Sequence, residues 1–198
     1  MSESTPTRAA VLELKDERRA MHEGYVFLDE KCLLLAGEIL RELGRHAELE
    51  AALGAAHEAA MAALQAALAR HGLQGLQVQP APGQQASRLD KEQRSLMGVR
   101  LQQARWSAAA EAAAAAVNPS PEVRACRQAF LALAAAAAPL AAVTGNLERL
   151  ALEYRRSVRR ARALQDVLLP ELGRSISGIE TRLEELEQEE AIFMRRRA

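Results

Sequence analysis

Aromatic residues are scarce: one Trp, two Tyr and three Phe occur among 198 residues. Ala, Leu, Arg, Glu and Gln dominate instead, and Gly and Pro gather in the middle. That composition belongs to long helices and excludes a sheet-rich enzyme core. Cysteine is nearly absent, and Cys32 and Cys126 stand alone without metal-ligand spacing, as expected in a reducing compartment. Net charge is absent too, with 26 basic and 26 acidic residues, so nothing global points to nucleic acid or an anionic membrane. The N-terminus lacks an apolar signal region. Gln128 to Leu147 carries no charge over twenty residues, long enough to span a bilayer. It is mostly Ala with Pro139 and Gly145 inside, so it reads as a buried helix-packing segment. The expectation is a soluble cytosolic protein with no direct membrane insertion.

The residues of catalysis are missing as well. No Gly is followed by Lys, so there is no Walker-type phosphate loop. None of the four histidines has Glu three residues before it, as a di-iron helix bundle would need. His46 and His57 share a helix face but stand about 16 Å apart along it, too far for one metal. No Ser, His and Asp set has local support for a nucleophile. The sequence therefore offers no catalytic residue, no cofactor site and no metal site.

What it does contain is heptads. Leu147, Leu150, Tyr154, Ala161, Leu164 and Leu168 keep one coiled-coil frame with Ser157 the only gap. Leu169, Leu172, Ile176, Ile179, Leu183, Leu186 and Phe193 keep a second, with Glu190 the gap. The seam can be followed across the join as Ala161, Leu164, Leu168, Leu172, Ile176 and Ile179, which predicts local unwinding of the supercoil there. At the other end, Thr5 and Pro6 read as a helix cap and first residue. Val11, Leu14, Met21, Tyr25, Leu28, Cys32, Leu35 and Ile39 then hold one frame, with Arg18 the polar intrusion. Beyond it Glu42 and His46 sit on the frame, and Leu49, Leu53, Met61, Leu64 and Leu68 continue among alanines. Gly72 and Gly75 stop the helix.

The middle changes character. Gln77 to Gln85 is a linker or turn. Ser95 to Leu101 could be a short strand with Gly98 at a close approach. Gln102 to Val117 is helical by propensity, with Trp106 its one large anchor. Ser120 and Pro121 open the last helix, which runs to about Arg196 with bends expected at Pro139, Gly145 and Pro170.

The fold expected is all-α: a long antiparallel two-helix coiled coil made by residues 1–72 and 122–198. A small central head, 73–121, holds short helices with room for a short β-hairpin, and the whole forms one elongated domain. Folding about the midpoint would set Met21, Tyr25 and Leu28 near Ile179, Ile176 and Leu172. Zipping against a second chain is the alternative. Charge is segregated on the last helix. Arg149, Arg155, Arg156, Arg159, Arg160 and Arg162 face only Glu153, whereas Glu180, Glu184, Glu185, Glu187, Glu189 and Glu190 face only Arg182. Such blocks read as solvated flanks or as a basic collar and an acidic band for partner loops. Nucleic acid fits poorly, because the basic cluster lacks aromatic residues.

The run from Arg159 to Glu190 resembles the signature of the D subunit of V-type ATPases. Arg159, Arg160, Ala163, Leu164, Pro170, Ile176, Ile179, Leu183, Glu184 and Glu185 fall on that family's double arginine, Ala-Leu pair, proline, spaced isoleucines and acidic Leu-Glu-Glu. Pro6, Thr7 and Arg8 match its opening, and Leu14, Lys15, Gly24, Leu28 and Lys31 its following pattern. Leu96, Met97, Gly98 and Val99 resemble its central element. Arg162, Ala161 and Gln165 depart from the family's asparagine, valine and glutamate, and Leu101 and Gln102 stand where a proline usually follows. Most of Gly72 to Glu122 is unmatched. The resemblance implies a non-catalytic rotor shaft whose paired terminal helices enter the ring of A and B subunits. Its head would meet the membrane-side rotor and the F subunit, on the cytoplasmic side of a membrane. Arg155, Arg156, Arg159, Arg160 and Arg162 are then candidate partner contacts, and Pro170 a bend in the shaft. The rival from another class is a non-rotary helical scaffold or adaptor.

Overall fold

The computed structural model describes residues 7–79, 87–108 and 118–197. Helix α1 spans Arg8–Gln77, strands β1 and β2 span Ser87–Leu96 and Val99–Ala108, α2 spans Pro121–Ala163, and α3 spans Leu169–Arg197. A π-turn, Leu164–Leu168, joins α2 to α3. The long N-terminal and C-terminal helices pack together, as the heptads led us to expect, and a two-stranded hairpin occupies the middle. Contacts divide the chain into two compact units. One is Met1–Leu35 with Tyr154–Ala198, and the other is Ala36–Glu153.

In the unit made by the chain ends, α1 begins at a threonine cap. The Ala10 N–H donates to Thr7 Oγ1 at 3.2 Å, and the Val11 N–H to the Thr7 carbonyl at 3.2 Å. The expected cap, Thr5 with Pro6, lies outside the described residues. Val11 and Leu35 are buried, and Leu14, Met21, Tyr25 and Leu28 half-buried between them. Across the seam Ser157, Ala161 and Ile176 are buried, and Leu164, Leu172, Ile179 and Leu183 half-buried. Arg8 pairs with Glu187 at 2.5 Å and Lys15 with Glu180 at 2.7 Å, so the helices run antiparallel. The register is staggered, however. A Cβ added to Gly24 would meet Leu164 Cδ1 at 3.8 Å, so Leu164 and not Ile176 lies across from this part of α1. The offset from midpoint folding is roughly three turns at this contact but only about one turn at the Arg8–Glu187 and Lys15–Glu180 pairs. A leucine knob seated over a glycine packs where two large side chains would collide, and that contact favours the observed register.

The join between the two heptad frames is sharper than the unwinding expected of it. The Leu169 N–H donates to the Leu164 carbonyl, an i to i+5 bond that inserts one extra residue into the turn. The frames differ by that same one residue. Leu168, expected on the seam, is instead 40% exposed beside the exposed Val167, and half-buried Leu169 takes its place. The wide turn comes immediately before Pro170, whose ring would crowd the preceding carbonyls of a regular α-helix.

The central unit corrects the expected short strand and the helix after it. Ser95 to Leu101 is not one strand but two strand ends about a two-residue turn. Met97 (φ 48°) and Gly98 (φ 85°) both adopt left-handed backbone, as a tight hairpin of this type requires. Residues 102–108 are strand rather than helix, while 109–117 lie outside the described residues. Val99 and Leu101 are buried while Arg100 and Gln102 are exposed, a period of two. Helix propensity there is worth only tenths of a kcal/mol per residue, so a ladder of ten Cα pairs with β1 overrides it. Leu150, Val143, Ala142, Ala60 and Ala67 complete the buried apolar set of this unit among the described residues.

Gly72 (φ 68°, ψ 170°) breaks α1 where the sequence placed its end, although helical backbone resumes to Gln77. Ser120 caps α2 by accepting the Val123 N–H at 3.2 Å, and Ser120 Oγ lies 2.7 Å from His71 Nε2. Arg70 pairs with Glu122 in the first turn of α2 at 2.9 Å. The stretch Gln128–Leu147 departs from expectation. Ala142, Val143 and Asn146 are buried, but most of its other residues are half-buried or exposed. By length and composition its helix is apolar enough to cross a membrane, yet Asn146 within it is engaged by the hairpin.

Candidate functional site

Two polar constellations stand out, one in each unit. In the unit of the chain ends, burial of Ser157 and Ala161 fixes which side of the C-terminal helix is the seam. At 100° per residue this turns Arg155 and Arg159 to the opposite side, Arg156 and Arg162 well away from the seam on either hand, and Arg160 to a flank. All five are exposed. The acidic band is less available than its composition suggested, because Glu180 and Glu187 are engaged by Lys15 and Arg8 of α1. These exposed pairs add little stability, but they orient the two ends.

In the central unit the polar groups are buried. Glu38 and Glu42 of α1 are each 1% exposed and Asn146 of α2 2%. Asn146 meets the outer edge of β2 as a third strand would. The Gln102 N–H donates to its Oδ1 at 2.7 Å, and its Nδ2 donates to the Gln102 carbonyl at 2.8 Å. The same Nδ2 reaches Glu42 Oε2 at 3.2 Å. Arg149 supports this from one turn on, donating through Nε to the Arg100 carbonyl at 2.9 Å and through a terminal nitrogen to Asn146 Oδ1 at 2.8 Å.

Arginine also surrounds the two carboxylates. Arg94 of β1 donates to Glu38, Arg41 pairs with Glu38 Oε2 at 2.5 Å, and Arg45 with Glu42 Oε1 at 3.0 Å. A buried carboxylate without such partners would be strongly destabilising, so the hairpin is tied to α1 by groups that each need the other. Sequence reading missed Glu38, Arg94, Gln102 and Asn146. One signal was present: Glu42 interrupts the heptad frame of α1, and an acid on a seam needs a reason.

Elsewhere, burial and then the charge of Asp29 push the Cys32 thiol above its ordinary value, so it is a poor nucleophile. Near the end of α1, an open cavity of about 470 Å³ is lined mostly by apolar side chains, among them Leu64, Trp106, Cys126 and Phe130. His46 is half-buried beside Glu50, 3.6 Å away, and His57 is exposed. Among the described residues no group of His, Cys, Asp and Glu is placed to hold a metal. The arrangement offers surfaces for partners and a fixed hairpin.

A helix pair closed by the chain's two ends is the architecture that the resemblance implied for a rotor shaft. The family model for the ATP synthase D subunit matches residues 10–196. The chain belongs to the family of ATP synthase D subunits. One relative, the V-type ATP synthase D subunit of Thermotoga neapolitana, is 26% identical over 197 residues. The alignment covers 96% of this chain and 95% of that one. The family match takes in both units, the basic flank, the π-turn and the hairpin alike.

Proposed function

We propose that this chain is the central-stalk rotor subunit of a V-type ATPase. It transmits torque between ATP hydrolysis in the ring of A and B subunits and ion translocation by the membrane rotor. The observation that carries the reading is the antiparallel closure of α1 on the C-terminal helix, in a chain matched to the D-type family nearly end to end. A shaft must resist splaying under load, which an interlocked seam does. It must also turn inside its bearing, which favours solvated contacts over deep apolar sockets.

The five exposed arginines suit that second need, because exposed ion pairs are individually weak and exchange readily. Arg155, Arg156, Arg159, Arg160 and Arg162 are the residues that would meet acidic loops of the ring. Pro170, with the π-turn before it, is where the shaft would depart from a straight axis. Further partners are the membrane-side rotor subunits and the F subunit. The protein itself is non-catalytic, binds neither cofactor nor nucleic acid, and sits on the cytoplasmic side of the membrane through the complex.

Replacing Arg155, Arg156, Arg159 and Arg160 together with Ala tests the torque role. The variant should fold and enter the complex, yet hydrolyse ATP with weakened coupling to ion transport. Unchanged coupling would remove the arginines from the mechanism. Co-purification with an A and B ring separates the stalk from a non-rotary scaffold, since a scaffold has no reason to join that ring.

A further inference from the structure

The helix pair made by the chain ends is held most firmly toward either end and least between. Its buried residues are Val11 and Leu35 on α1, with Ser157, Ala161 and Ile176 across the seam. Residues 162–175 contribute no buried side chain, and neither do residues 12–34 of α1. Between buried Ala161 and half-buried Leu169, only Leu164 is not exposed.

The backbone is weakest at the same level. In a regular helix the Leu169 N–H would meet the Gln165 carbonyl, but here it donates to Leu164. The next position along is Pro170, which has no amide hydrogen to offer Gln165 instead. Gln165, Asp166, Val167 and Leu168 are all exposed, so no side-chain packing replaces the lost bond. Across from this turn α1 presents Gly24, where a Cβ would lie 3.8 Å from Leu164 Cδ1. Glycine is the residue whose backbone resists distortion least. Long helices bend at prolines and at π-turns, and this level has both, with a glycine facing them.

We infer that Gly24 and the Leu164–Leu168 turn form a hinge, about which the two ends of this unit bend and twist. Leu164 is the pivot, a single knob in a hollow that has no side chain of its own. The heptad frames keep the hinge in place. Moving the extra residue one turn toward the N-terminus would bring Arg162 and Gln165 onto the seam, and moving it the other way Glu171 and Ser175. Only Leu168 and Leu169, side by side, let the two frames meet without a polar residue facing inward. The inference rests on the geometry of this unit and stands apart from the stalk reading. In the proposed stalk the hinge is the place where one end could lag the other under load.

Spin labels on the full-length chain test this, in a background with Cys32→Ala and Cys126→Ala. One pair spans the turn, Glu30→Cys with Ser177→Cys, and a control pair lies to one side of it, Asp16→Cys with Glu184→Cys. All four positions are exposed. The spanning pair should give a distance distribution roughly twice as wide as the control pair's. Deleting Leu168 together with Pro170→Ala and Gly24→Ala restores a regular helix opposite a stiffer one. That variant should narrow the spanning distribution to the control's width and leave the control unchanged. Hydrogen exchange on the unlabelled chain gives a second reading, with the Leu169 amide exchanging on the order of ten-fold faster than that of Ile176.

Equal widths for the two pairs in the parent overturn the inference, whether or not the deletion variant folds. A wide spanning distribution that the deletion leaves wide overturns it as well, because the motion then lies elsewhere. So does a Leu169 amide that exchanges no faster than that of Ile176.

Discussion

The unit built from the chain ends and the unit that carries the hairpin place their polar groups in opposite ways. In the first, a narrow apolar seam is buried and the ion pairs, Arg8 with Glu187 and Lys15 with Glu180, stay in water. In the second, two carboxylates and an amide are buried, and the cations around them are partly exposed. The difference follows from what each must hold. Two helices satisfy their own backbones and need only an apolar contact. A strand lying against helices brings unsatisfied backbone groups with it, and something polar on the helices has to answer them. Asn146 does so for Gln102, and Glu42 in turn holds Asn146.

That contrast can be broken most severely at Asn146. Asn146→Ala leaves the Gln102 N–H, the Gln102 carbonyl and Glu42 short of partners, and should cost about 3–5 kcal/mol. Urea denaturation would read the loss, and exchange at Gln102 should accelerate in step. The apolar seam gives the next effect. Ile176→Ala should cost about 2–4 kcal/mol without exposing the hairpin amides. Hydrogen exchange that rose in the hairpin as well would show that the two units unfold as one.

A smaller effect separates a tolerated insertion from a damaging one. Deleting Leu168 together with Pro170→Ala converts the π-turn to α-helix and merges the two heptad frames. Its stability should stay within about 1 kcal/mol of the parent's, because the seam residues keep their side. Deleting Thr181 instead rotates every later seam residue by about 100° and should be far more harmful. Thermal melts of the two deletions settle the order.

The smallest effects lie in the solvated pairs. Lys15→Ala should change stability by less than about 1 kcal/mol, fading as salt is raised. At the start of α2 the backbone N–H of Glu122, followed by Arg70 and the Ser120 cap, holds the Glu122 carboxyl below its ordinary value against a smaller opposing effect of burial. A depressed carboxylate contributes stability above its unfolded value and loses it as pH falls through the folded one. Glu122→Gln should therefore lower stability slightly at neutral pH and flatten the acid limb, the two profiles converging as the parent's carboxyl is protonated. An identical acid limb would exclude a role for Glu122.

Much of this was legible in the sequence because helices announce themselves by period. The seam from Val11 to Leu35, the break at Gly72 and the Ser120–Pro121 start all follow from spacing and capping chemistry. The one-residue jump between Leu168 and Leu169 was legible as well, though its resolution into a π-turn was not, since a heptad shift can also be spread along a supercoil. β2 was hidden because Gln102 to Ala108 is built of residues that favour helix. Its pairing depends on β1, which is mostly polar, half of it charged, and carries no alternating apolar signal. The turn was hidden because Met97 occupies a left-handed position usually given to Asn, Asp or Gly. The polar network was hidden because Glu38, Arg94 and Asn146 meet only when the chain is folded, and none stands out alone.

The extra residue at Leu164–Leu168 behaves like a dislocation in a crystal. Such a defect can in principle glide along a helix one turn at a time, and each step would swap one inward-facing side chain for its neighbour. Pro170 opposes that travel, having no amide hydrogen with which to close the turn the defect leaves behind. The slack in the C-terminal helix is thereby pinned at one place. Twist entering from either end meets a fixed joint there instead of a wandering one.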